Sequence, residues 1–553
     1  MTKTHKYTLP HLIGKSFEQY PDLPSLGFAG EYALSYSELK EKVEATMAFL
    51  ERHGIKHGDK VALLGPNMPK WGISYLAITF MGAVVVPILP DFHPEEIKNI
   101  LAHSDAKILF VSRSMESRIE GLNTLSLENI IYLEDFSSKG KTSSVLFEEG
   151  AKPGIRYQIE EDDLAAIIYT SGTTGKSKGV MLTHKNITFN ALSAWKIQPL
   201  SKRDRMLSVL PLSHTYENTL GFILPLMHGT SVYYLRKPPT PPVLLPALKK
   251  VKPTAMLSVP LIMEKIYRNK ILPEFQRNRF MKFIYRIPVF RKGLNRLAGN
   301  KLKKTFGGHM EFFGIGGAKL DRNVEKFLKE ARFPYAIGYG LTESAPLLAG
   351  VNAKTTRLQS TGPAVHGVEL KIHDPDPVTG EGEIWARGPN IMAGYYKDPE
   401  ATKATITEDG WLKTGDLGAF DEDNFLFIKG REKNLIIGAS GENIYPEEIE
   451  SIINNFRHVV ESLVIEKKGK LVALVHFNRE ELEQKYSDLK EDVSNRIETI
   501  QNELVPELHR YINSKVNKFS QLQKIIIQAN PFQKTATQKI KRFMYHIYHK
   551  DET

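Results

Sequence analysis

The stretch from Tyr169 to Gly179, YTSGTTGKSKG, gathers the residue types that hold a polyphosphate. Gly172, Gly175 and Gly179 leave backbone N–H groups open to an anion, Ser171, Thr173 and Thr174 add hydroxyl donors, and Lys176 and Lys178 add charge. The apolar run Leu164 to Ile168 before it has strand character, so a strand delivers the loop. A solvated Gly/Ser turn is the plain alternative. The Walker phosphate loop is excluded by spacing, because the position that should be its first glycine is Thr170.

Further along lie six more segments with chemical potential. His214 in LPLSHTYE precedes an apolar run, Thr219 to Leu226, and could border a carboxylate whose tail lies among those side chains; most lone histidines are structural. Gly314-Ile-Gly-Gly-Ala318 strips side chains from a turn. GYGLTE, Gly338 to Glu343, sets an aromatic, a hydroxyl and a carboxylate within one hexapeptide, and a hard cation favours carboxylate oxygen together with substrate phosphates. DGWLKTGDLG carries Asp416, GREK carries Arg431 and Lys433, and PFQKTATQKIKR carries Lys539 with Lys534 and Lys541 nearby.

In this order the segments resemble the adenylate-forming superfamily of acyl- and aryl-CoA ligases, peptide-synthetase adenylation domains and luciferases, over roughly residues 30 to 545. The wording LPLSHTYE, the long segment before GIGGA and Gln538 before the tail lysine are most like the long-chain fatty acid branch. The resemblance implies a site. Thr170, Ser171, Gly172, Thr173, Thr174, Gly175 and Lys176 would hold the phosphates of ATP; Gly316, Gly317 and Ala318 would border adenine, with Tyr339 stacked on it beside Gly340. Thr342 would contact the α-phosphate, Glu343 would help hold Mg²⁺, and Asp416 and Arg431 would bind the ribose. His214 would sit beside the acyl pocket, Lys433 would be a hinge, and Lys539 would reach the acyl carboxylate and the α-phosphate. The implied activity is an ATP-dependent fatty acid–CoA ligase that makes acyl-AMP and then passes the acyl group to coenzyme A. A ligase serving a carrier protein and a non-catalytic nucleotide-binding protein are the alternatives. No aspartate near His214 marks an amino-acid ammonium site, which counts against peptide-synthetase adenylation.

The elements that must position these groups follow from patterning. Ser35 and Glu38 form a capping box for a helix whose apolar face is Leu39, Val43, Met47 and Leu50 and which Gly54 ends. Strands are expected at Lys60 to Leu64, Ala106 to Val111 and Asn129 to Leu133, a layered α/β rhythm. Tyr75 to Pro90 reads as a buried helix passing into a strand, and Lys237 to Pro246 as a turn entering a helix. After a strand at Asn424 to Ile428 the character changes. Strands near Val459 to Ile465 and Leu471 to Phe477 and a polar helix from about Arg479 to Asn513 predict a small α+β domain. The expected division is residues 1–429, a large adenylate-forming domain of layered sheets and helices with the ATP and acyl sites, and 430–553, a mobile lid.

Tyr267 to Lys304 holds twelve Lys and Arg residues, one acid (Glu274) and interleaved aromatics. A surface helical hairpin with its aromatics on the core competes with a patch that meets an anionic membrane; nucleic acid ranks behind both, since no recognition motif accompanies the charge. The 553 residues are 41% hydrophobic and 25% charged, without cysteine, and 74 basic against 63 acidic groups leave a formal charge of +11, which favours anionic partners. Cysteine-based chemistry is excluded. With no apolar segment after the first charges, the N-terminus predicts a cytoplasmic protein, peripheral at the inner membrane face if the basic segment acts there.

Overall fold

The computed structural model describes residues 7–121, 127, 129–139, 147–170, 177–438, 442–467, 469–478, 482, 503–535 and 539–547. The capping box forms as read: Ser35 accepts from the Glu38 N–H, the Glu38 carboxylate accepts from the Ser35 N–H, and the helix runs Tyr36–Arg52. Strands Lys60–Leu64 and Ala106–Val111 occupy the expected residues. The apolar run resolves into helix Pro69–Phe80, almost wholly buried, and strand Val84–Ile88. Helix Pro241–Val251 follows the proline-rich turn.

The architecture is α/β, built on two large sheets. One has seven strands in the order Gly394–Tyr395, Lys178–Thr183, Leu164–Thr170, Val84–Ile88, Lys60–Leu64, Ala106–Val111, Asn129–Tyr132, with its Leu164-to-Asn129 portion parallel. The other has eight, with Tyr335–Gly340, Phe312–Ile315, Ala255–Ser258, Arg205–Leu207 and Ser231–Tyr234 forming its parallel centre. Helices bury their apolar stripes against these sheets, and the largest core includes Trp71, Tyr75, Phe222 and Tyr234. A four-stranded antiparallel sheet, Glu369–His373, Gly382–Arg387, Leu412–Phe420 and Leu426–Arg431, carries the chain towards its C-terminal region. The strand expected from Asn424 starts two residues later, because Asn424 adopts the left-handed conformation (φ 60°) of a tight turn.

Residues 444–527 build a separate apolar cluster from Ile449, Ile453, Val464, Leu474's neighbour Val475, Leu508 and Ile525, around strands Val459–Lys467, Lys470–Phe477 and Lys524–Ile527. The polar helix read over 479–513 is described as Val505–Asn513; nearly all of its earlier part lies outside the described residues. The contacts between this region and the sheets before it include several polar ones. Lys319 Nζ lies 3.0 Å from Glu448 Oε1, Tyr445 O–H donates to Glu381 (2.5 Å), Asn434 donates to Glu447 (2.6 Å), and Asn455 binds Asp321 and accepts from Arg268.

Candidate active site

Asp416 is the centre of the site. It lies on Leu412–Phe420 directly across from Arg431 on Leu426–Arg431, and this register places Arg431 Nε 2.6 Å from Asp416 Oδ1. Tyr339, near the end of Tyr335–Gly340, donates its O–H to Asp416 Oδ2 at 2.8 Å. Each carboxylate oxygen can accept two hydrogen bonds and has one of these partners, so both keep acceptor capacity for a diol. Burial raises the pKa of Asp416, and Arg431 is the main opposing influence. The strand then ends tightly: a Cβ on Gly340 would fall 1.8 Å from the Pro346 carbonyl oxygen, so no side chain fits.

Thr342 and Glu343 follow in the short 3₁₀ turn Thr342–Ser344. Thr215 Oγ1 stands 3.5 Å from Thr342 Oγ1, and Tyr395 O–H donates to Glu343 Oε1 at 2.9 Å. The turn is held by two buried amides, since Asn190 and Asn390 both donate to the carbonyls of Ser344 and Leu347. Among the described residues no group of three His, Asp or Glu could hold a metal alone, so a cation at Glu343 would draw its remaining ligands from phosphate and water.

Lys539 enters from the C-terminal region. Its backbone exchanges a bond with Thr535, whose N–H donates to the Lys539 carbonyl at 2.8 Å, beside the bridge between Lys534 and Ile540. Lys539 is exposed, yet desolvation by the surrounding protein and then Arg431 lower its pKa, while Asp416 and Glu343 act in the opposite sense. Lys534, the nearest alternative, is engaged by Glu461 at 2.5 Å. Lys433 stands in the turn Glu432–Asn434 just after Arg431; partial burial, then Arg431, and further Lys539 and Lys178 lower its pKa. Four cations, Lys178, Arg431, Lys433 and Lys539, thus share one field with two carboxylates, Asp416 and Glu343. The surplus positive charge suits an anionic ligand.

His214 accepts from the Tyr216 N–H through Nδ1 (3.2 Å), and burial with the nearby Lys539 charge lowers its pKa to about 4. It is neutral at pH 7 with its proton on Nε2, a donor rather than a cation. The run after it forms the helical stretch Tyr216–Ile223 and Leu224–Met227 and is buried. Tyr216, Leu220 and Leu224 of this stretch, with Leu200, Leu257 and Leu347, line an apolar cavity of about 60 Å³; Gly314 and Gly338 line it too. Apolar side chains and the glycine-bearing strand ends at Gly314 and Gly338 therefore share one cavity. Gly316 is buried with its Cα hydrogens towards the Tyr216 ring, while Gly317 (φ 86°) and Ala318 turn outward.

Thr170 closes strand Leu164–Thr170 opposite Lys178. Ser171, Gly172, Thr173, Thr174, Gly175 and Lys176 lie outside the described residues. Sequence reasoning missed Tyr395, Asn190 and Asn390. Tyr395 also lies under Lys178 Nζ, 4.8 Å from its ring centre. Buried amides and a lone tyrosine carry no pattern that separates them from ordinary core residues.

An α/β fold with a carboxylate–arginine–tyrosine cluster, a cationic field and an apolar cavity suits an anionic ligand beside an apolar one. The profile of the AMP-binding enzymes matches residues 14–396, and the chain belongs to that family. It is 29% identical over 494 residues, 81% of this chain and 72% of the relative, to the long-chain-fatty-acid–CoA ligase heimdall of Drosophila melanogaster. Over 94% of this chain and 82% of the relative it is 28% identical to the chloroplastic long-chain-fatty-acid–[acyl-carrier-protein] ligase AEE15 of Arabidopsis thaliana. Its fold matches O-succinylbenzoate coenzyme A synthetase of Bacillus subtilis in complex with ATP and a magnesium ion, with a TM-score of 0.75, 22% identity and coverage of 96% of this chain and 98% of that one.

Proposed function

We propose that the chain is a long-chain fatty acid–CoA ligase. The observation that carries this reading is the apolar cavity lined by Tyr216, Leu220, Leu224 and Gly314, because its walls suit a hydrocarbon tail. A carboxylate oxygen of the fatty acid attacks the α-phosphorus of ATP, the bond to the bridging oxygen breaks, and pyrophosphate leaves. The coenzyme A thiolate then attacks the acyl carbon and expels AMP. Asp416 accepts the ribose hydroxyls, Tyr339 packs on adenine beside Gly340, and Gly316, Gly317 and Ala318 leave room for the ring. Thr342 donates to the α-phosphate, and Thr170 to Lys176 embrace the outer phosphates. Mg²⁺ at Glu343 would offset phosphate charge.

Lys539 holds positive charge where the carboxylate and α-phosphate converge, and His214 offers Nε2–H without adding charge. Residues 1–429 form the large lobe and 430–553 a lid that turns about Lys433 between the two half-reactions. The likeness to an acyl-carrier-protein ligase favours one second reading, in which a carrier thiol takes the place of coenzyme A. Exchange of labelled pyrophosphate into ATP across carboxylates from acetate through aromatic acids to palmitate tests the first half-reaction, and offering coenzyme A or a carrier protein separates the acceptors. Exchange greatest with long chains is expected. None with any acid would remove the proposal.

A further inference from the structure

The hairpin Arg279–Arg286 and Pro288–Thr305 presents an apolar surface that the core does not use. Phe275 and Tyr285 pack inward, stacked with ring centres 4.5 Å apart, as the core-facing reading of this segment requires. The other aromatics do not. Phe280 is 69% exposed, Phe283 64%, Val289 77%, Phe290 56% and Leu297 68%. Helical spacing sets Phe280 and Phe283 on one face of the first helix and Arg279, Lys282 and Arg286 on the face beside it, and no residue of that helix is buried. Phe290 and Leu297 lie two turns apart on one side of the second.

Charge decides what such a surface meets. Arg291 pairs with Glu330 and Lys301 with Glu274, but among the described residues no carboxylate lies within ion-pair distance of Arg277, Arg279, Lys282, Arg286, Lys292 or Arg296. Scattered exposed apolar residues are ordinary; five on one hairpin, beside Arg279, Lys282, Arg286, Lys292 and Arg296 without ion-pair partners among the described residues, are a clustered amphipathic face. An acidic protein partner would satisfy the cations yet leave the phenylalanine tips needing a matched pocket. A bilayer accepts both, with rings at the acyl boundary and cations at the phosphates. No helix among the described residues is long and apolar enough to cross a membrane, so the contact is peripheral.

We infer that the hairpin 279–305 docks this chain on an anionic lipid surface through Phe280, Phe283, Val289 and Phe290, with Arg279, Lys282, Arg286 and Lys292 on the headgroups. The inference rests on the surface alone and stands apart from the acyl substrate. Flotation of the full chain with phosphatidylcholine vesicles, with and without phosphatidylglycerol, tests it. Recovery with the anionic vesicles, lowered by salt, is expected. Phe280→Ser/Phe283→Ser and, separately, Arg279→Glu/Lys282→Glu should each weaken partitioning roughly tenfold or more. Unchanged melting and unchanged pyrophosphate exchange with a short soluble acid would show that each variant is folded, and the charge reversal, made on exposed side chains, serves if the serine pair does not fold. Failure to float with any vesicle, flotation of both variants equal to that of the parent, or a dimer in sedimentation that the serine pair disrupts would each overturn the docking.

Discussion

Replacing Glu217 by glutamine should change how stability depends on pH, and the structure sets the sign and size. Glu217 follows His214 by three residues on Tyr216–Ile223, is 1% exposed, and neither carboxyl oxygen has a well-formed hydrogen bond, Ser208 being only a weak partner. Burial raises the Glu217 pKa from 4.5 to about 8, with Ser208 exerting a weaker opposite pull. The folded chain therefore keeps a proton there that the unfolded chain releases above pH 4.5. Stability from this group is fully present below about pH 4.5 and falls as pH rises to about 8. At about 1.4 kcal/mol per pH unit, the interval spans at most about 5 kcal/mol, and local relaxation would bring this nearer half.

Glutamine keeps the shape and removes the titration. The difference in melting temperature between Glu217→Gln and the parent should be small near pH 5 and should favour the variant progressively up to pH 8. Subtracting the two profiles cancels the other titrating groups, and the comparison needs no two-state assumption. Parallel profiles across this range would refute the argument, because they would mean that the carboxyl is already ionised in the folded protein.

Three further outcomes are expected. Lys539→Ala should slow adenylate formation roughly a hundredfold, about 3 kcal/mol, yet spare thioester formation from pre-made acyl-adenylate; equal loss in both half-reactions would remove its proposed role. Lys433→Pro should do the converse by fixing φ in the turn Glu432–Asn434, and an unimpaired second half-reaction would remove the hinge. Lys319→Ala breaks the half-exposed pair with Glu448 and should slow adenylation by less than about fivefold without slowing the second step; stopped-flow of each half-reaction resolves the two.

Local signals were the legible ones. The Ser35–Glu38 box and the strands at Lys60 and Ala106 were readable because capping and hydrophobic alternation act within a few residues. Asp416, Arg431, Tyr339 and Lys539 were found through resemblance, and their meeting depends on strand register and on the placement of a distant segment, which no local pattern encodes. The basic hairpin shows the same limit: spacing revealed two helices, while the direction of each aromatic depended on tertiary packing. Tyr285 turned in and Phe283 out, two residues apart.

The seam joining residues 444–527 to the sheets before them includes the Lys319–Glu448 and Tyr445–Glu381 contacts, and its apolar clusters remain separate on either side. Swapping such bonds for water costs little, so parting the seam leaves no greasy scar on either face. On the proposed lid motion, a joint of this kind would answer to ionic strength and let substrate occupancy, rather than adhesion, set where it rests.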